Sequence, residues 1–230
     1  MQAFALLHLL QLTSPSLPIG AYSYSQGLES AIETGLVRDA ASARGWIVGH
    51  LHQVLSNFEA PIFWRLLHAF DARDAQAVSH WSERFIAARD SAEFRAETIQ
   101  MGYSLRNLLT ELVADPDLAD PGLLALLHGE REVALPTALA CASVALGVPF
   151  EAALLGMLFS WAENQVLVCV KSVPLGQVAG QRLLLSLRPD LEAAAQHAQR
   201  LEDCELSNWS PGLSLLAMQH EVQYSRLYRS

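Results

Sequence analysis

His220 and Glu221 open the pattern His-Glu-x-x-His, in which two histidines one helical turn apart hold zinc and the glutamate serves as general base. Tyr224 stands where the second histidine belongs. The zinc-hydrolase reading therefore fails, and His220 remains only a weak metal candidate. His50 and His52 are two positions apart, which turns them to different faces of a helix. Cys141, Cys169 and Cys204 form neither a CxxC pair nor an even set; they read as reduced core thiols of a cytoplasmic protein. The glycines of Gly176 to Gly180 (GQVAG) lack the lysine and the preceding strand of a phosphate loop, and no serine sits in GxSxG. The expectation is a chain that is not an enzyme, with no catalytic residues, no tightly bound cofactor and no confident metal site.

Other residues suit touch rather than reaction. Ser14 to Glu29 reads SPSLPIGAYSYSQGLE. Pro15 and Pro18 exclude a helix there. Tyr22, Ser23, Tyr24 and Ser25 form an aromatic-hydroxyl cluster, and a phenol buries apolar area while keeping a polar tip. A plain connector between helices would carry the same prolines and glycines. Lys171 lies inside the apolar run Val166 to Pro174, where it must snorkel, find a carboxylate or meet a partner. The tail, 218–230, reads MQHEVQYSRLYRS and interleaves Tyr224 and Tyr228 with Arg226 and Arg229. Such mixtures are typical of interaction hot spots, although a solvated terminus is equally open from composition.

These residues need a scaffold, and the scaffold reads as helical. The chain has 230 residues, 51% hydrophobic and only 17% charged, with a net charge of −9 and a mean hydropathy of +0.20. That is apolar for a lone soluble molecule and points to a covered surface. The negative charge argues against nucleic acid. The uncharged run Val133 to Phe150 is broken by Pro136, Gly147 and Pro149, so no membrane span is expected, and Met1 to Leu12 has neither a basic n-region nor a small-residue cleavage site, so no signal peptide is expected.

Asp39 is a good N-cap for a helix toward Asn57, and Pro61 suits the start of another. A helix is expected over about Tyr24 to Thr34, ended by Gly35. Asp90 with Glu93 resembles a capping box. Asp115 to Pro121 (DPDLADP) reads as a loop. Further helices are expected from Pro136, Pro149 and Ser210-Pro211. The valines of Val166 to Val173 would suit a strand, but they continue the run Leu154 to Trp161 without turn residues and are assigned to one long buried helix. The class is all-α, one domain over 1–230, as a bundle of about ten helices.

SPSLPIGAYSYSQGLE, VKSVPLGQVAGQ at 170–181 and MQHEVQYSRLYRS, in this order, resemble the urease accessory proteins of the UreF family. Gln100-Met101-Gly102 and the Leu6 to Leu12 run also fit. The resemblance implies an all-helical homodimer without catalytic activity of its own. Its partners would be a second accessory protein (UreD or UreH), the nickel GTPase UreG and urease apoprotein, with nickel handled by the assembled complex in the cytoplasm. It implies a scaffold and checkpoint; a regulator that supplies an arginine in trans to GTP hydrolysis is the alternative. Tyr22 and Arg226 match positions that organise the tail for recruitment, with the tail and the Tyr22 loop packing together only in the complex. Ser23, Tyr24, Tyr224, Tyr228 and Arg229 join them as partner-binding residues, and Lys171 matches a lysine linked to fidelity.

Overall fold

The computed structural model describes residues 2–112 and 120–230. Among them are twelve α-helical segments and no strand, as the all-α expectation requires: α1 (Ala3–Leu12), α2 (Leu28–Glu33), α3 (Ala40–His50), α4 (Ala60–Asp71), α5 (Ala75–Ala87), α6 (Ala92–Leu112), α7 (Pro121–Gly129), α8 (Leu135–Ala145), α9 (Phe150–Ser172), α10 (Gln177–Ser186), α11 (Arg188–Arg200) and α12 (Pro211–Glu221). Most of the expected loop at Asp115 to Pro121 lies outside the described residues.

The caps explain most boundaries. Asp39 accepts from the Ser42 amide while Ser42 accepts from the Asp39 amide, a reciprocal capping box at the start of α3. Pro136, Pro189 and Pro211 sit in first turns, where a missing N–H costs nothing. The valine-rich segment is helical throughout, inside the 23-residue α9. Three boundaries differ from expectation. Residues 21–27 are a short 3₁₀ turn (Ala21–Ser23), an extended Tyr24 and a left-handed turn at Gln26 and Gly27, so α-helix begins only at Leu28. Ser91, not Asp90, caps α6 by accepting from the Phe94 amide. Pro61 lies in the first turn of α4, but no break precedes it: α3 and α4 run into one another through nine residues of π-helix, Leu51–Glu59.

That fusion has a physical cause. A proline inside a helix strands the carbonyl four residues back and presses its ring against it. Here that carbonyl belongs to Asn57. It accepts instead from the Ser207 amide at 3.1 Å, and the wider π turns make room for the ring.

The core is built around α4, whose Ile62, Phe63, Leu66, Leu67 and Phe70 are fully buried. Helix α8 packs against it with small side chains, Ala138, Ala140, Cys141 and Ala142 among them. Helix α9 is long and apolar enough to cross a membrane by length and composition, but half of that window is buried in the bundle, as in core helices generally.

Helix α6 comes closest to its neighbour at Gly102. A Cβ there would lie 2.1 Å from the Val133 carbonyl oxygen and 2.6 Å from the Ala134 carbonyl carbon. Both are backbone, so the entry to α8 would have to move. Gly102→Ala is expected to cost about 2–3 kcal/mol, read as a lower denaturation midpoint at unchanged slope. Gly45→Ala, on the open side of α3, is the control and is expected to stabilise by about 0.5–1 kcal/mol.

Candidate functional site

The Ser14–Glu29 loop and the tail meet at one place, against Asn164 and Gln165 of α9. Gln26 (φ 56°) and Gly27 (φ 79°) are both left-handed. This pair folds the loop so that the Ser25 and Gln26 amides face the Ser230 carbonyl oxygen at 2.7 and 3.2 Å. The Ser25 hydroxyl donates to the same oxygen at 2.5 Å. A left-handed glutamine costs about 1 kcal/mol or more, and its side chain is held at both ends. Its amide nitrogen donates to Glu97 at 2.5 Å, and its oxygen accepts from the Trp161 indole at 2.7 Å. From α9, Asn164 and Gln165 donate to the Tyr24 and Ser25 carbonyls at 2.9 and 3.2 Å. Gly27 packs so closely on Leu213 of α12 that a Cβ would approach to 3.1 Å.

Glu29 is the hub of the docked tail. Its two carboxylate oxygens accept from successive backbone amides, Leu227 at 2.7 Å and Tyr228 at 3.0 Å. One of them also faces Nε2 of His220 at 3.0 Å. The other ring nitrogen, Nδ1, faces Glu93 of α6 at 2.7 Å, and Glu93 pairs with Arg226 at 2.7 Å. One turn along α6, Glu97 accepts from the Ser230 hydroxyl at 2.6 Å. The Arg229 amide closes the last gap by donating to the Ser23 carbonyl at 2.8 Å.

Burial shapes the charges here. The Glu97 carboxyl is pushed up to about 7 by desolvation, against hydrogen bonds from Ser230 and Gln26 that favour its ionised form. The buried His50 ring is held at about 4 for the same desolvation reason. Both line a cavity of about 130 Å³ with Gln26, Arg89 and Trp161. Burial also raises the Tyr24 phenol, with Glu97 adding to the shift and Arg229 partly offsetting it.

The singled-out residues divide into two sets. Tyr22, Tyr224 and Leu227 are exposed, and Tyr224 is fully so. Arg226 and Arg229 also face out. Tyr24 and Tyr228 are buried, and Ser23 is half-buried, so the aromatic-hydroxyl cluster is not one exposed patch. Burial raises the Tyr228 phenol, with the Ser172 side chain beside it partly offsetting the shift. Arg226 pairs with Glu93 rather than with Tyr22. Glu29 and Ser25 answer the polar backbone of the tail. Lys171 is exposed in the last turn of α9, about where snorkelling and the helix dipole would put a cation. His220 is completely buried between two carboxylates, and among the described residues no cluster of three or more metal-ligating side chains is suited to hold an ion.

Sequence reasoning missed Glu29, Glu93 and Glu97 as the anchors. A signal was present in the spacing. Glu93 and Glu97 are four apart and continue the row of the buried Met101 and Leu105, so acids occupy an inward face of α6.

A model of the UreF family matches residues 37–188. A protein named urease accessory protein UreF from Janthinobacterium is 74% identical over all of both chains. One of the same name from Nitrosospira multiformis is 64% identical over 98% of each, and one from Azoarcus is 49% identical over 98% of this chain and 95% of its own. The chain therefore belongs to the UreF family of urease accessory proteins.

Proposed function

We propose that this chain is a non-catalytic scaffold and checkpoint in urease maturation. As a homodimer in the cytoplasm, it joins a UreD/UreH-type accessory protein to the nickel GTPase UreG on urease apoprotein. Nickel is cargo of that assembly, not a resident of this chain. The observation that carries the reading is the two-faced tail. Tyr228 and Ser230 point in, while Tyr224, Arg226, Leu227 and Arg229 point out. The exposed Leu215, Met218 and Val222 of α12 and its end continue the outer face. An apolar strip rimmed by arginines and tyrosines on a pre-ordered backbone has the composition of an interface core, and pre-ordering spares it the entropy of folding on contact. Tyr22 and Lys171 extend the proposed contact surface.

The test is Arg226→Ala. Its helical content should be unchanged, while capture of the GTPase by the co-purified accessory complex falls by roughly tenfold or more, as for truncation of an arginine hot spot. Undiminished capture together with full urease activation would count against the scaffold reading. A second reading, an arginine supplied in trans to GTP hydrolysis, is favoured only by Arg229, which is exposed and in no ion pair among the described residues. A rise of orders of magnitude in GTP turnover on adding this chain, lost in Arg229→Ala, would establish it instead.

A further inference from the structure

His50 precedes the π-helical segment and Glu59 ends it, and both line the cavity of about 130 Å³. In an α-helix nine residues make about two and a half turns, which puts such a pair on opposite faces. The i→i+5 pattern takes more than four residues to each turn, so nine residues close about two turns. Val54 and Leu55, one turn along from His50, line the same cavity. The wide register thus brings an imidazole and a carboxylate to one wall. Pro61 and the Ser207 amide on the Asn57 carbonyl favour that register over the α-helical one.

Two polar atoms of the residues around this cavity have no partner among the described residues, His50 Nδ1 and Arg89 Nε. His50 is 7% exposed and the Arg89 side chain 8%. Both are held in place. The His50 ring stands edge-on to Trp161, with the centroids 5.1 Å apart. The Arg89 guanidinium lies 4.1 Å from the Phe85 ring centroid and donates to Glu59 at 2.6 Å. A buried polar atom left bare carries its whole desolvation penalty.

We infer that the cavity is a site for a small cluster of ordered water, which joins His50 Nδ1 and Arg89 Nε to the Glu59 and Glu97 carboxyls. Charge and hydrogen-bond capacity select the occupant. An anion would meet Glu59 and Glu97, and a cation would meet Arg89. An apolar guest would leave both nitrogens bare. Arg89 Nε needs an acceptor, whereas the His50 ring, held at about 4 and so neutral at pH 7, presents either an N–H or a lone pair at Nδ1. Water can serve both. A volume of about 130 Å³, at about 30 Å³ per molecule, admits about four waters. Among the described residues the lining stops at Leu213, so the cluster needs nothing from the tail.

The site involves no partner protein, so its failure would leave the scaffold reading standing. The experiment is a crystal structure of the full chain, at a resolution that shows ordered water, with and without xenon under pressure. The expected result is a solvent peak about 2.7–3.2 Å from each of His50 Nδ1 and Arg89 Nε. No xenon should enter, because xenon fills dry apolar cavities. His50→Phe keeps a ring against Trp161 but has no nitrogen, so the peak at position 50 should be lost and the one at Arg89 Nε kept. The wild-type maps decide the matter even where that variant does not fold. Xenon in the cavity, density for an organic molecule there, or two nitrogens without solvent would overturn the inference. So would a peak at position 50 that survives in His50→Phe.

Discussion

Glu29→Ala is expected to detach the tail and to cost the fold about 3 kcal/mol or more, the usual result of leaving two backbone amides without their buried acceptor. Glu29 is 7% exposed. Among the described residues it is the sole acceptor for the Leu227 and Tyr228 amides, and it is also a partner of His220. Without it the Leu227 and Tyr228 amides lose their acceptor and Nε2 of His220 loses its partner. Alanine offers no substitute, and the cavity left at the start of α2 removes packing as well. In a chain of this size about 3 kcal/mol corresponds to a loss of roughly 6–12 °C in Tm.

The same variant should expose the tail to trypsin at Arg226 and Arg229, which cleaves there slowly while the segment is docked. Glu33→Ala, on the same helix but facing solvent, should change stability by no more than about 0.5 kcal/mol. Unaltered Tm and unaltered tryptic protection in Glu29→Ala would show that the tail is held by something other than this hub.

The contrast between what was legible in the sequence and what was not follows the distance over which each feature is decided. Asp39, Pro136 and Pro149 announce helix starts because a cap or a first-turn proline acts within three or four residues. The long α9 was legible for the same reason, since nothing local interrupts it. Pro61 marks the first turn of α4 but misled as to a break before it, because the group that rescues the Asn57 carbonyl is the Ser207 amide, 150 positions away. The tail misled in the same manner. Its composition fits a solvated end or a partner-bound one, and the deciding acceptor, Glu29, lies 198 positions before Leu227. Tyr24 and Tyr228 look alike to Tyr22 and Tyr224 in a string of letters, but the first two are turned inward by hydrogen bonds to their own backbones. Polar acids on an inward helical row, as at Glu93 and Glu97, are the one local sign that such long-range partners exist.

Glu97→Gln is expected to reshape the dependence of stability on pH. Glu97 has its carboxyl raised from 4.5 to about 7. The folded state therefore holds a proton that the unfolded state has released, and this contribution is present below 4.5 and lost as pH rises through about 7. At 1.36 kcal/mol per pH unit it is worth about 3 kcal/mol. His50, lowered from 6.5 to about 4, acts with the opposite sign. Its contribution is present above 6.5 and lost as pH falls through about 4, again about 3 kcal/mol by the same conversion. Between 4.5 and 6.5 the two slopes oppose one another, so together they leave the wild type nearly level there.

Glutamine removes only the first of these. Its oxygen can still accept from Gln26 and its amide can donate to the Ser230 hydroxyl, so the tail keeps its anchor. The variant should then gain stability steadily from about pH 4 to about pH 6.5 and hold it above, ending about 3 kcal/mol better placed relative to wild type at pH 8 than at pH 4.5. Denaturant titrations at three pH values measure this directly. Parallel profiles for the two proteins would mean that Glu97 is ionised in the folded chain throughout, and that burial beside the His50 cavity is offset by its hydrogen bonds.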